Sequence, residues 1–207
     1  MEHTLTTEGF GVRLRPVRLE DAAFIVWLRS LEHTKGRIGD SATDTASQEA
    51  WLRAYFKRAG DYYFIIETTG GIAVGAYGIY DMANSSAESG RWIIRPEVPA
   101  AVPSALLAFD LAFGRLGLAE VRVTTVSTNQ SVLSLNKKFG FRQVSVDQGR
   151  QIIGGHPVDL VRFVMTAAEW AKPREKLLPL AKLAGAQVLE WEHAQNAART
   201  LNTETEH

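Results

Sequence analysis

A mixed α/β domain is the fold class that the sequence predicts, with a mostly antiparallel sheet flanked by helices and a helical extension at the C-terminal end. Three observations carry it. Strand candidates follow one another closely over residues 62–94, helical and strand periods alternate over 103–146, and the composition shifts after Trp170. A chain of 207 residues suits one substantial domain with an appendage, and the division falls at 1–170 and 171–207.

At the N-terminal end, Val12, Leu14 and Val17 alternate with Arg13, Arg15 and Pro16, which reads as an edge strand ended by proline. Glu20 and Asp21 open a helix that carries Ala23, Ile25, Val26, Leu28 and Leu31. Residues 32–44 are polar and contain Gly36 and Gly39, a loop pattern. A second helix occupies 47–58, with Trp51, Leu52, Tyr55 and Phe56 on one face. Then come strands at 62–67, 72–80 and 88–94, joined by a Gly70-Gly71 turn and a polar turn over 81–86. Residues 103–116 are densely apolar, as in a largely buried helix. A strand at 121–126 precedes a short helix at 131–139, stopped by Gly140. The last strands, 141–146 and 158–165, meet around Gly154-Gly155. The strand–helix–strand passage over 91–126 demands a crossover and hence a parallel pair.

Beyond Trp170, Pro173 is expected to interrupt and Pro179 to open a final helix reaching about residue 200. Leu180, Ala184, Val188, Trp191, Ala194, Ala198 and Leu201 step by three or four along it. That stripe either packs on its own domain or builds a homodimer interface.

Composition removes several functions. Lys+Arg and Asp+Glu balance at 23 each, which argues against a nucleic-acid clamp. There is no cysteine, so disulfides, thiolate metal sites and a cysteine nucleophile are excluded. The five histidines are scattered without metal-ligand spacing, and no metal site is expected. No apolar run approaches the ~20 residues of a membrane span, and the first residues lack the pattern of a signal peptide. A cytoplasmic protein is the expectation.

The run Asn129-Gln130-Ser131-Val132-Leu133-Ser134-Leu135-Asn136-Lys137-Lys138-Phe139-Gly140-Phe141 closely resembles a late motif of the GNAT superfamily of N-acetyltransferases. Upstream, Phe109 to Val126 resembles the helix and strand before that motif, and Ala87 to Ile94 resembles the family's fourth strand. The resemblance spans about Val12 to Met165. Two branches look closest, one acting on amino sugars linked to nucleotides and one on protein N-termini. Ser47 to Leu52, succeeded by Tyr63-Phe64-Ile65-Ile66, is more similar to the sugar branch.

The resemblance implies acetyl-CoA as the co-substrate and a small-molecule amine as the acceptor. It also implies that backbone groups of Trp92, Ile93 and Ile94 hold the pantetheine arm. The family's pyrophosphate loop aligns with Arg95 to Ser104, where the expected glycines fall on Ala100 and Val102. Pro99 and Pro103 lack a donor there, Glu97 brings a negative charge and Arg95 offsets it. The amides of Ala100, Ala101, Val102 and Ser104 would form the anion cradle. The alternatives are a weakened or different acyl carrier, or a non-catalytic relative.

By the same resemblance, Glu88 matches the carboxylate that takes the amine's proton, against a plain surface role, and Asp81 is the weaker candidate. Asn136 occupies the position where relatives commonly carry a tyrosine as thiolate acid. An amide can hydrogen-bond sulfur but cannot supply the proton, and an exposed helix position is the alternative. Asn129 would contact the pantetheine or cap its helix, and Ser131 would face the cofactor or cap the same turn. Arg29, Arg37 and Trp51 are the acceptor-side candidates, the arginines suiting a diphosphate, with core or surface roles as alternatives.

Overall fold

The meander expected over residues 62–94 forms the centre of an eight-stranded sheet in the order β1-β2-β3-β4-β5-β6-β8-β7. The computed structural model describes residues 2–35 and 42–204, with side chains as far as 200. Arg37 lies outside the described residues. The strands are β1 (Thr7–Gly9), β2 (Val12–Pro16), β3 (Tyr62–Thr68), β4 (Ala73–Ala83), β5 (Ser86–Ile94), β6 (Glu120–Val126), β7 (Arg142–Ile153) and β8 (His156–Thr166). The helices are α1 (Ala22–Ser30), α2 (Thr45–Tyr55), α3 (Ala101–Asp110), α4 (Gln130–Lys138) and α5 (Ala167–Glu204). All neighbours pair antiparallel except β5 and β6, the parallel pair that the crossover through α3 requires.

β3 shows why the sheet is buried on both faces. Phe64 and Ile66 join one core, with α3 and α5, while Tyr63 and Ile65 join the other, with α1 and α2. Successive side chains point to opposite faces, so a strand covered on both sides reads as an unbroken apolar run.

Three expectations are corrected. β2 is not an edge strand, because β1 pairs with it through the turn at Phe10 and Gly11. β1 is too short and too polar to announce itself. Pro173 does not interrupt and Pro179 does not open a helix, since both lie inside the 38-residue α5. The third correction concerns the phase of that helix. Leu180, Ala194 and Ala198 are exposed, and the inward face runs through Trp170, Leu177, Ala181, Gly185, Val188 and Glu192. A glycine and a carboxylate hold two inward positions that an apolar stripe skips. A Cβ on Gly185 would stand 2.6 Å from the Phe10 carbonyl oxygen, so the close approach of α5 to the β1–β2 turn requires glycine there. Glu192 is buried and accepts a hydrogen bond from the Thr68 hydroxyl.

Candidate active site

β5 and β6 pair over only three positions, Ser86↔Glu120, Ala87↔Val121 and Glu88↔Arg122. Past Glu88 they part. β5 stays with β4 as far as Ile94, and β6 stays with β8 as far as Val126. Between them the facing edges carry backbone N–H and C=O groups with no ladder partner in the other strand. A bulge in β5 sharpens the divergence: Ala76 and Gly78 of β4 oppose Ile93 and Gly90, leaving one extra residue in β5. Arg91 takes the left-handed conformation there, φ 51°, which is costly for a residue with a Cβ. Its guanidinium is fixed by Asp61 at 2.5 and 3.0 Å and lies 4.2 Å from the Tyr80 ring centroid.

The parting strands open a cavity of about 360 Å³ whose walls include Glu88, Arg91, Thr125, Asn129, Asn136 and Gln151. A groove of about 300 Å³ shares Trp92, Ile93, Asn129 and Val132 with it and continues to Ile94, Arg95, Ala101, Ser131 and His33. On the other side, a compartment of about 270 Å³ shares Arg29 and Arg91 and is closed by Gln48, Trp51 and Tyr63. The arrangement is groove, centre and annex, with Glu88 at the centre.

Glu88 faces Tyr80 across one ladder and Arg122 across the other. Its side chain is 13% exposed, and Arg122 Nε stands 3.8 Å from its Oε2. Burial pushes its carboxyl above the ordinary value, against the opposing pull of hydrogen bonds from Thr124 and the charge of Arg122. A carboxylate that holds its proton more tightly than usual is a better proton acceptor. Burial first, then the charge of Glu88, pushes the Tyr80 hydroxyl up to about 12.

Asn136 is buried, not an exposed helix residue, and its Nδ2 donates to Thr125 Oγ1 at 3.3 Å. It forms the wall where α4 meets β6. Asn129 caps α4, its Oδ1 accepting from the Val132 amide at 3.4 Å and from Ser131 Oγ at 2.9 Å. It also lines both the centre and the groove, so capping and a place in the cleft coexist in one side chain. The Trp92 ring packs between Tyr77 and Phe139, and its Nε1 donates to Ser104 Oγ. Trp92 borders both the centre and the groove.

The Arg95–Ser104 loop is more closed than a four-amide cradle. The Ala100 amide donates to the Val98 carbonyl at 2.8 Å and the Ser104 amide to that of Ala100 at 3.0 Å. Those two donors are engaged. Ala101 and Val102 open α3, and first-turn amides have no acceptor within their own helix. Pro103 in the same turn costs the helix no bond. Arg95 pairs with Glu97, Nε donating to Oε1 at 2.7 Å.

On the acceptor side, Arg29 lines both the centre and the annex, and burial lowers its pKa. Trp51 is half-buried, stacked on Tyr55 at 5.6 Å, and walls the annex alone. Asp81 is exposed and borders none of these compartments. Sequence reasoning missed Arg91, His33, Tyr80 and Gln151. Gly78 and Gly90 inside strand patterns are the signal that could have located the bulge, since strand glycines mark such places. Among the described residues no cluster of metal-binding side chains occurs and no helix is long and apolar enough to cross a membrane.

Solved structures share this architecture. A GCN5-related N-acetyltransferase from Brucella melitensis superposes with a TM-score of 0.74 at 20% identity, covering 87% of this chain and 86% of the other. FdhC, described as a nucleotide-linked sugar GNAT, gives 0.70 at 26% identity over 87% of this chain and 98% of its own. The spermidine N-acetyltransferase SpeG of Vibrio cholerae, in a mutant form, gives 0.70 at 18% identity over 79% of this chain and 98% of its own. No curated protein matches the chain in sequence. Residues 12–142 match the Acetyltransferase (GNAT) domain family. That span holds the parted strands, the central carboxylate and the capped α4, and with it the chain belongs to the GNAT acetyltransferases.

Proposed function

We propose that the protein transfers an acetyl group from acetyl-CoA to the primary amine of an amino sugar on a nucleotide carrier. The observation that carries this reading is the parting of β5 and β6 immediately past Glu88, which sets a half-buried carboxylate beside unpaired strand edges. Acetyl-CoA supplies the acyl thioester. The exposed backbone edge of Trp92, Ile93 and Ile94 would hold its extended arm, in the manner of an added strand. The amides of Ala101 and Val102, with the side chain of Arg95, would meet its phosphates. Ser131 and Asn129 lie along the same groove.

An ammonium has no lone pair for attack, so the proton must leave first, and Glu88 takes it directly or through one water. The nitrogen–carbon bond then forms as the carbon–sulfur bond breaks. The Asn136 amide, already a donor toward Thr125, can hydrogen-bond the departing sulfur, while water returns its proton. On the far side, Arg29 and Arg91 flank the annex and, among the described residues, no carboxylate lines it, which suits an acceptor carrying anionic groups. A polyamine would bring further ammonium groups toward those two guanidiniums, an unfavourable meeting at short range.

A second reading, a non-catalytic relative, is favoured by one observation: the prolines and the engaged Ala100 and Ser104 amides leave the loop few free donors. Titration of coenzyme A by calorimetry separates the two. Binding, with acetylation of aminated nucleotide sugars in preference to N-terminal peptides and spermidine, is the expected result. No heat at high ligand concentration would leave the non-catalytic reading standing.

A further inference from the structure

Arg95 borders two cavities. On one side is the donor groove with Ala101 and Ser131. On the other is a separate hollow of about 420 Å³ lined by Phe24, Trp27, the Gly70–Ala73 turn, Asn196 and Arg199. Its guanidinium carbon stands 5.2 Å from the Trp27 ring centroid and 5.1 Å from that of Trp191. Trp27 belongs to α1 and Trp191 to α5. Two elements from distant parts of the chain therefore meet on one arginine in the loop that leads into α3.

The turn of α5 that carries Trp191 is itself fixed. The neighbouring Glu192 is buried and takes the Thr68 hydroxyl bond. A Cβ on Gly70 would collide with Glu192 Oε1, so this carboxylate also lies directly against the β3–β4 turn. The backbone that carries Trp191 is therefore held in place by its neighbour.

A long, flexible cation loses rotamer freedom when it grips an anion, and pre-setting it removes that cost at the moment of binding. In this chain the need is acute, because the Ala100 and Ser104 amides are engaged and Pro99 and Pro103 have none to give. We infer that Trp191 and Trp27 are positioning residues that hold Arg95 for a phosphate of the donor, so that the C-terminal helix completes the donor site. This rests on the acetyl-CoA reading above.

The test compares coenzyme A with pantetheine, which lacks the phosphates, on wild type and on Trp191→Leu, Trp191→Phe, Trp27→Leu and Arg95→Ala. Arg95→Ala should weaken coenzyme A binding by about tenfold or more, the loss of a charge-assisted bond. Trp191→Leu and Trp27→Leu should each weaken it by about fivefold, the scale of one cation–π contact, and Trp191→Phe should recover most of that. Pantetheine affinity should stay unchanged in all four, and the three tryptophan variants should keep kcat, with their change confined to the KM for acetyl-CoA. A merely structural role would lower both ligands' affinities together, and that result would overturn the inference. So would wild-type coenzyme A affinity in both leucine variants, each checked for an unchanged melting temperature. Trp27, 40% exposed, keeps the comparison open if Trp191→Leu fails to fold. Wild type that binds no coenzyme A at all would overturn the donor assignment, and this inference with it.

Discussion

Replacing Glu88 with Gln preserves the side chain's shape and removes its ability to take a proton. Only an ionised Glu88 can act as a base, so wild-type kcat should fall on the acid side as the group becomes protonated. Burial places that fall above the ordinary 4.5 of a glutamate. General-base assistance contributes about 100- to 10,000-fold. Solvent can still reach the half-open cleft, so the low end applies: about 100-fold in kcat, or roughly 2.7 kcal/mol of barrier. Stability should move the other way. Because the folded value is raised, the folded state holds more protons than the unfolded chain just above 4.5. Stability is therefore full below that value and declines as pH rises through the folded one. Gln abolishes the decline, so at neutral pH the variant should melt no lower than wild type. Thiol release measured between about pH 5 and about pH 9, with melting curves alongside, reads both effects. An unchanged kcat, or an acid-side fall that survives in Glu88→Gln, would refute the assignment of the base.

Arg15 holds two buried carboxylates, Asp21 through two bonds of 2.8 Å and Glu67 through one of 2.8 Å. Arg15→Met should lower stability by about 3 kcal/mol and the melting temperature by roughly 10 °C, as measured by calorimetry. Gly75→Ala would set a Cβ 2.6 Å from the Ile93 carbonyl oxygen. It should cost about 1–3 kcal/mol and raise the KM for acetyl-CoA, because the strand that must yield is the one lining the cleft. Pro179 is exposed inside α5, so Pro179→Ala restores a helical bond without disturbing packing. It should gain about 2 kcal/mol once the unfolded-state effect is allowed for, visible as a higher melting point with unchanged kcat.

How much of the molecule was legible in its sequence depends on where the determining forces lie. The meander, the crossover and α4 arise from local pattern. β3 is apolar from Tyr62 to Ile66 because both its faces are covered there, and Asn129 starts α4 because its own side chain caps it. α5 misled in two ways. Proline is a strong local breaker, yet packing of Trp170, Leu177 and Ala181 onto the core carries the helix through Pro173 and Pro179. Its phase was hidden because Gly185 and Glu192 face inward, one for the close approach to Phe10 and one for a bond to Thr68. Glu88, Asn129 and Asn136, singled out from the family resemblance, line one cavity in the structure. Arg91 was invisible for a different reason. Its place in the cleft comes from a left-handed residue in a strand, and nothing about an arginine announces that conformation.

A solved structure only 20% identical to this chain shares its fold, so the architecture does not depend on most individual side chains. A site built from strand edges asks of the sequence only that β5 and β6 separate. That demand is met by a bulge and by the ladder that ends at Glu88. That independence of side chains ends wherever backbone donors run out. In the loop before α3 the prolines and internal turns leave Ala101 and Val102 as the helix-opening amides, and on the proposed acetyl-CoA reading the compensation comes from a side chain. A lone arginine beside Glu97 would be a poor substitute, since the nearby carboxylate competes for the same N–H groups. Fixing that arginine from two sides changes the balance: Glu97 then orients it rather than drawing it away, and the remaining donors keep a constant direction. The long α5, which no part of the transfer chemistry requires, acquires a function on this argument.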